Sequence, residues 1–458
     1  MTRQSYRHEL VTMATLPVAT AMVEGGVVGV LANKAFHVGP YLFALIWAAP
    51  MFANLTSIFW SKLAHGRAKI RVIRAIQVGI LLTIGAIALL PTQWPGPLLL
   101  AGLVIISRFL LAGMVTLRST VWRMNYPRHV RGRITGRLAM LDSLIKTIAP
   151  FVGYALLDIG PNMFRVLYPA VLLVGVVGVM SFSKVRLRRE RELLRDEREL
   201  TERPEPGTRP VLETEAQADA AIKPGFWAIL KGDLLFRRYM IAQFLAGMAN
   251  IGGETAIVAF ISTRLTEGLK LEYMIAILLT MTIPKALGTL TLPSWAKRLD
   301  EMHIAAFRVR QAKYWIYSQG LNWIGAVLLL QFGAPVWLPL TVVALGRLAQ
   351  GVGGGAGLLA WQLGHNDFAE RRLVSAYMGV HVMLAGVRGA TVPFLAMALY
   401  DGWGTWRVPG TDWVLPEWAG LGPGVFLVTL GLAVGAVIGF ARLSATVHEG
   451  GAIALPAD

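Results

Sequence analysis

The sequence predicts an all-α membrane protein, with twelve transmembrane helices in two pseudo-symmetric six-helix bundles. Three observations predict it. Of 458 residues, 55% are hydrophobic and 16% charged, against about 25% charged in a soluble domain; the mean hydropathy is +0.54. The apolar residues fall in blocks of roughly 20, the length that takes a helix across about 30 Å of hydrocarbon. The second half of the chain repeats landmarks of the first.

The blocks run near 11–32, 41–61, 72–91, 98–122, 138–157 and 163–183, then 238–262, 273–294, 314–333, 336–361, 374–400 and 421–442. Gly and Pro recur inside them, which membrane helices tolerate because neighbouring groups re-satisfy the backbone. The opening MTRQSYRHEL leads into a long apolar stretch without a small-residue cleavage site. A retained first helix is expected, with residue 1 in the cytoplasm.

Charge supplies the orientation. A net charge of +17 suggests nucleic acid in a soluble protein, but here Lys and Arg gather in alternate loops, which is a topology signal. Lys62, Arg67, Lys69, Arg71 and Arg74 fill one loop, and Arg123, Arg128, Arg131, Arg133 and Arg137 the next on that side. Arg186, Arg188 and Arg189, then Lys297, Arg298, Arg308 and Arg310, then Arg371 and Arg372 continue the series. The intervening PTQWPGP and QFGAPVW carry no Lys or Arg. The positive-inside rule puts both termini and the basic loops in the cytoplasm, in a multi-pass protein of the inner (cytoplasmic) membrane, read as a monomer contacting membrane lipid.

The domain organisation expected is a half at 1–183, a charged cytoplasmic linker at 184–237 and a half at 238–458. The linker is mixed in sign, with Pro and Gly in its second part, and reads as a solvated tether. Its first part has i,i+4 charge spacing, so a short helix there is expected. Between the halves, the separation of Arg108 from Arg347 equals that of Trp122 from Trp361, and the separation of Pro150 from Pro393 equals that of Asp158 from Asp401. Trp60 and Trp295 each end the second helix of their half. Such duplication is common in membrane carriers.

Six helices, a charged linker and six more resemble the major facilitator superfamily of transporters over nearly the whole chain. The segment from Ser61 through Leu63, Ala64, His65, Arg67 and Lys69 looks like that family's gating loop between the second and third helices. The family has Asp where His65 stands, and Gly where Ser61 and Ala68 stand. In the family that Asp bonds a neighbouring helix end and locks one state. Arg347-Leu348-Ala349-Gln350-Gly351-Val352-Gly353 is similar to the family's fourth-helix Arg-x-x-Gln-Gly-x-Gly signature, here in the tenth helix; the fourth carries a looser Arg108 to Gly113. The resemblance implies proton coupling or substrate binding at such an arginine.

Charges at mid-bilayer depth cost about 2.5–3.5 kcal/mol on insertion scales, so they are usually paired or line a wet cavity. Glu24 in the first helix and Glu254 in the seventh each adjoin a Gly pair, Gly25-Gly26 and Gly252-Gly253, which permits close contact or local unwinding. Each is a candidate for proton exchange or substrate binding, against a static ion pair. Asp142 and Lys146 share a helix face and can neutralise each other or line the cavity. Arg108, Arg347 and Arg388 have no acid in their own helix and need Glu24, Asp142, Glu254 or an anionic solute. Arg118 and Lys285 read as snorkelling toward the interface. His381 reads as a packed histidine rather than a relay, since no His or acid lies within a turn. Trp403, Trp406, Trp413 and Trp418 read as interfacial anchors rather than a lid.

With Cys 0, thiolate metal sites and disulfides are excluded. No phosphate-binding loop or hydrolytic motif is present. The expectation is therefore no enzyme and no cofactor, but a secondary active transporter working by alternating access. It moves a small-molecule solute with protons or another coupling ion, and the basic lean of the buried charges favours an anionic or zwitterionic solute. The alternatives are multisubstrate efflux of amphiphiles and, in another class, a non-transporting scaffold or sensor.

Overall fold

The computed structural model describes residues 2–199, 225–265, 278–407 and 414–449. It is built of helices, as apolar chain in lipid must be, because only a helix or a closed barrel satisfies every backbone group internally. The helices are α1 (Thr2–Ala21), α2 (Gly25–Lys34), α3 (Pro40–Leu55), α4 (Ser57–Ala64), α5 (Lys69–Ile87), α6 (Gly96–Asn125), α7 (Arg128–Ile159), α8 (Phe164–Phe182) and α9 (Glu190–Glu199). There follow α10 (Phe226–Gly232), α11 (Leu234–Phe260), α12 (Ile283–Thr289), α13 (Leu292–Glu301), α14 (Ile304–Leu330), α15 (Trp337–Leu363), α16 (Val374–Asp401) and α17 (Val425–Glu449).

Among the described residues, seven helices are long and apolar enough to cross a membrane: 69–87, 96–125, 128–157, 164–182, 337–367, 371–401 and 422–448. Four of the other five expected spans fall short for visible reasons. The first is divided into α1 and α2 at Glu24, and the second into α3 and α4 at Thr56. The helix α14 carries Arg308, Arg310 and Lys313 besides Gln319 and Asn322. Part of the eighth (273–277) lies outside the described residues, as do linker residues 200–224 and Trp413.

The chain divides into two compact units, one of Met1–Leu234 with His365–Val387, the other of Leu235–Gly364 with Arg388 onward. In the first, α1 packs on α7 and α8, and α5 on α6 and α8, around a core that includes Leu16, Ile80, Val104 and Tyr168. In the second, α14 packs on α15 and α17, and α12 on α15, with Ile257, Phe260, Val343 and Phe426 in its core. Leu82, Leu173 and Phe394 are exposed, as apolar side chains facing lipid are. Outside the helices, Trp406–Arg407 and Val414–Leu415 form a two-stranded antiparallel ladder, and the Trp403 and Trp418 rings pack at 4.7 Å.

Two segments of the first unit meet at its basic-loop end. Arg128 pairs with Asp367 at 3.2 Å, Arg123 donates to the Asn366 carbonyl, and the Thr120 and Ser375 hydroxyls lie 3.0 Å apart. Nearby, Glu9 accepts from Trp122 Nε1 at 2.6 Å and from the Tyr126 hydroxyl at 2.8 Å. Burial, and then the Glu9 carboxylate beside it, push the Tyr126 phenol above its ordinary pKa. Tyr126 therefore keeps its proton and serves as a donor.

Candidate functional site

In the first unit the site begins at a break in the first helix. Residues Met22 to Glu24 form a turn, with the Glu24 backbone extended before α2 starts at Gly25. A break exposes carbonyls that hydrocarbon cannot satisfy. Here Tyr168 donates to the Met22 oxygen at 3.0 Å and Arg108 Nη2 to the Val23 oxygen. Arg108 Nη1 also reaches Glu24 Oε1 at 2.6 Å, and Lys146 Nζ lies 3.9 Å from Oε2. Lys146 in turn pairs with Asp142 at 3.1 Å. Arg108 is buried while Glu24 remains 33% exposed, so two acids and two bases make a balanced group open on one side.

The second unit repeats the first-helix acid and fourth-helix arginine with a different surround. Arg347, 1% exposed, grips Glu254 as a two-pronged fork, Nη1 to Oε2 at 3.0 Å and Nη2 to Oε1 at 2.9 Å. Gln350 donates to Glu254 Oε2 at 2.6 Å and to Asn250 at 2.9 Å, and accepts from Arg347. Lys285 Nζ adds a contact to Oε1 at 2.9 Å. A β-carbon on Gly351 would stand 2.1 Å from the Lys285 carbonyl, and one on Gly288 would stand 2.4 Å from that of Leu348. The Arg-x-x-Gln-Gly run thus has a visible logic: Arg347 and Gln350 hold the acid, and Gly351 lets α12 close on α15.

These contacts revise two readings. Lys285 does not snorkel, because the Gly288–Gly351 approach brings its helix within reach of Glu254. Arg118 also turns inward, its guanidinium against Met13 and Met114 sulfurs and 5.7 Å from the Trp122 ring centroid, since three polarisable neighbours shelter it from lipid. Among the described residues Arg388 finds no acid; it donates to the Gln243 carbonyl at 2.9 Å over Gly247, where a β-carbon would overlap its guanidinium. His381 is buried, with the His365 ring edge-on at 6.4 Å, a neighbour that adjacency in sequence could not reveal.

A sequence profile of the Major Facilitator Superfamily matches residues 13–310. The chain belongs to the Major Facilitator Superfamily. It is therefore a secondary transporter working by alternating access, and not an enzyme. No curated protein matches it. Among solved structures it is similar to the proton:xylose symporter XylE bound to 6-bromo-6-deoxy-D-glucose, with 11% identity, 96% of this chain and 94% of that one covered, and a TM-score of 0.63. It is also similar to the human organic anion transporter MFSD10 (14%, 96% and 99%, 0.62) and to an outward-facing bacterial homologue of the iron transporter ferroportin (13%, 97% and 99%, 0.61). At such identities the likeness is one of fold.

The segment Leu63 to Lys69, expected to be a gating loop, joins α4 to α5. Leu63 and Ala64 end α4, Gly66 takes φ +68°, a left-handed turn that favours glycine, and Lys69 opens α5. The acid missing at His65 is supplied by α9 from the linker. Glu197 Oε2 accepts from the Gly66 amide at 2.7 Å and from Lys69 Nζ at 2.6 Å, and its carbonyl lies 2.8 Å from His65 Nε2. Lys69 and Glu197 are each 1% exposed, whereas Arg67 points outward. The helix in the linker agrees with its charge spacing, but a buried acid there departs from a purely solvated tether. The available signal was the absence of an acid at His65, beside Gly66 and Lys69.

Removing that carboxylate leaves a buried ammonium unpaired, which is far costlier than losing an exposed pair. In Glu197→Ala, α9 is expected to detach and the linker to be cut by trypsin several-fold faster than in the unmodified protein. Unchanged cleavage kinetics would show that α9 does not depend on this contact.

Proposed function

We propose that this transporter carries a small anionic or zwitterionic solute with proton coupling. The observation carrying the reading is the charge of the second unit's cluster. Glu254 is met by both Arg347 and Lys285, leaving one cation in surplus, and Lys285 is 41% exposed. Arg388 adds a further cation whose Nε has no hydrogen-bond partner among the described residues. A carboxylate or phosphate on a solute matches these donors, and the planar Arg347 fork favours two-oxygen recognition.

Coupling is assigned to Glu24. Held by Arg108 and facing Lys146, it is met by two cations. A solute anion that draws Lys146 away leaves Glu24 with one cation fewer, and a proton then restores the balance. Glu24 and Glu254 are paired rather than isolated, so proton exchange at either requires the pair to loosen during the cycle. The basic loops support a cytoplasmic assignment for that side and both termini, in the inner membrane, by the positive-inside rule. On this assignment the contacts of Arg123 and Arg128 with Asn366 and Asp367 form a cytoplasmic clamp that must part for inward opening. The duplication supports halves at 1–183 and 238–458 joined by 184–237.

The solute class is tested by thermal unfolding of the purified protein, followed by tryptophan fluorescence, against organic anions, zwitterions, sugars, phosphorylated solutes and cationic amphiphiles. Stabilisation by one anionic or zwitterionic class, reduced at least several-fold in Lys285→Gln, is expected. Stabilisation confined to cationic amphiphiles would overturn the anion assignment in favour of amphiphile export.

A further inference from the structure

Apart from both carboxylate clusters, a cavity of about 660 Å³ opens at the basic-loop end of the first unit. Its walls come from the first turns of α5, the segment following α8 and the start of α9. Five arginines line it, Arg71, Arg74, Arg186, Arg189 and Arg191, against two acids, Glu190 and Glu192. Arg189 Nε faces Glu192 at 3.7 Å. Arg71, Arg74, Arg186 and Arg191 form no ion pair among the described residues.

Unpaired guanidinium groups converging on one cavity repel one another, and an anion relieves that repulsion. Arg71 and Arg74, three residues apart, share one helix face. The floor is apolar, including Ile70 and the buried Val185 and Leu187. Arg71 and Arg74 lie within the first two turns of an apolar span, while Arg186 follows the end of another. This is the depth of phospholipid headgroups, and basic pockets between helix ends suit anionic headgroups.

We infer that this cavity is a binding site for a phosphate-bearing anion, occupied in the membrane by the headgroup of an acidic phospholipid. The arginines take the phosphate and the apolar floor takes the glycerol end of the lipid. The α9 wall is the helix that Glu197 fastens to the gating loop, so a bound headgroup braces the same helix that closes the loop.

The test is native mass spectrometry of the full chain in a neutral detergent, titrated with phosphatidylglycerol or phosphatidylcholine. Phosphatidylglycerol is expected to bind at least ten-fold more tightly than phosphatidylcholine. The preference should vanish in Arg71→Gln/Arg74→Gln/Arg186→Gln and persist in Arg133→Gln/Arg137→Gln/Arg310→Gln, which removes as much charge from α7 and α14. The single variants Arg71→Gln and Arg74→Gln, at exposed positions, should each weaken binding several-fold and guard against misfolding of the triple variant. A second arm adds glycerol phosphate and inorganic phosphate: lipid retained at millimolar concentrations identifies the headgroup, whereas displacement identifies a soluble phosphate ligand at the same arginines. Equal retention of phosphatidylglycerol by the unmodified protein, the triple variant and the control variant would overturn the site.

Discussion

Arg347→Ala is expected to destabilise the purified protein more than any other single charge removal in the second unit. The guanidinium is 1% exposed and makes both prongs of its fork to Glu254. Its loss leaves Glu254 with Lys285 and Gln350 alone. Breaking a buried pair by deleting one partner costs about 3–5 kcal/mol; Glu254 is 35% exposed, so the lower end is expected. Arg347→Met with Glu254→Gln removes both charges and should recover most of the loss, because Gln350 can still bond an amide. Denaturant unfolding of Arg347→Met, of Glu254→Gln and of the double variant measures the coupling. Additive losses within about 0.5 kcal/mol would mean that the pair does not act as a unit, and solute flux is expected to fail in Arg347→Ala whatever its stability.

Gly351→Ala is expected to have a comparable effect through packing. The added β-carbon meets the Lys285 carbonyl oxygen at 2.1 Å and carbon at 2.8 Å, so relief requires backbone movement rather than a rotamer change. Overpacking of this kind typically costs about 1–3 kcal/mol. The displaced segment also carries Lys285 away from Glu254, so the anion-dependent stabilisation should fall with the stability. Gly354→Ala, where a β-carbon meets nothing within 4 Å, is the matched control and should be nearly silent. Equal unfolding midpoints for Gly351→Ala and Gly354→Ala would refute the close approach of α12 and α15.

The sequence showed depth more readily than partnership. Apolar blocks and Gly pairs placed Glu24, Arg108, Glu254 and Arg347 well inside the membrane, because a helix must keep its charges at particular heights. Which charges meet depends on how helices rotate against each other, and Glu24 and Arg108 are 84 positions apart. Lys285 was misread for that reason: its distance to Glu254 is set by glycines on two other turns of helix, Gly288 and Gly351. Glu197 was further from reach, since 128 residues separate it from Lys69 and the linker composition alone describes a solvated segment. The repeat was legible early, and the same acid and arginine recur in both units, yet the balanced charge of one and the cationic surplus of the other come from Asp142, Lys146 and Lys285, which the repeat does not match.

The most direct measurement is the internal pH of sealed proteoliposomes containing the purified protein, followed on addition of the anionic or zwitterionic solute that stabilises it. The account predicts a solute-dependent proton flux, lost in Glu24→Gln while the solute still stabilises the protein. A solute flux that carries no protons, or a proton flux undiminished in Glu24→Gln, would contradict the assignment of coupling to the Glu24–Arg108–Lys146 group.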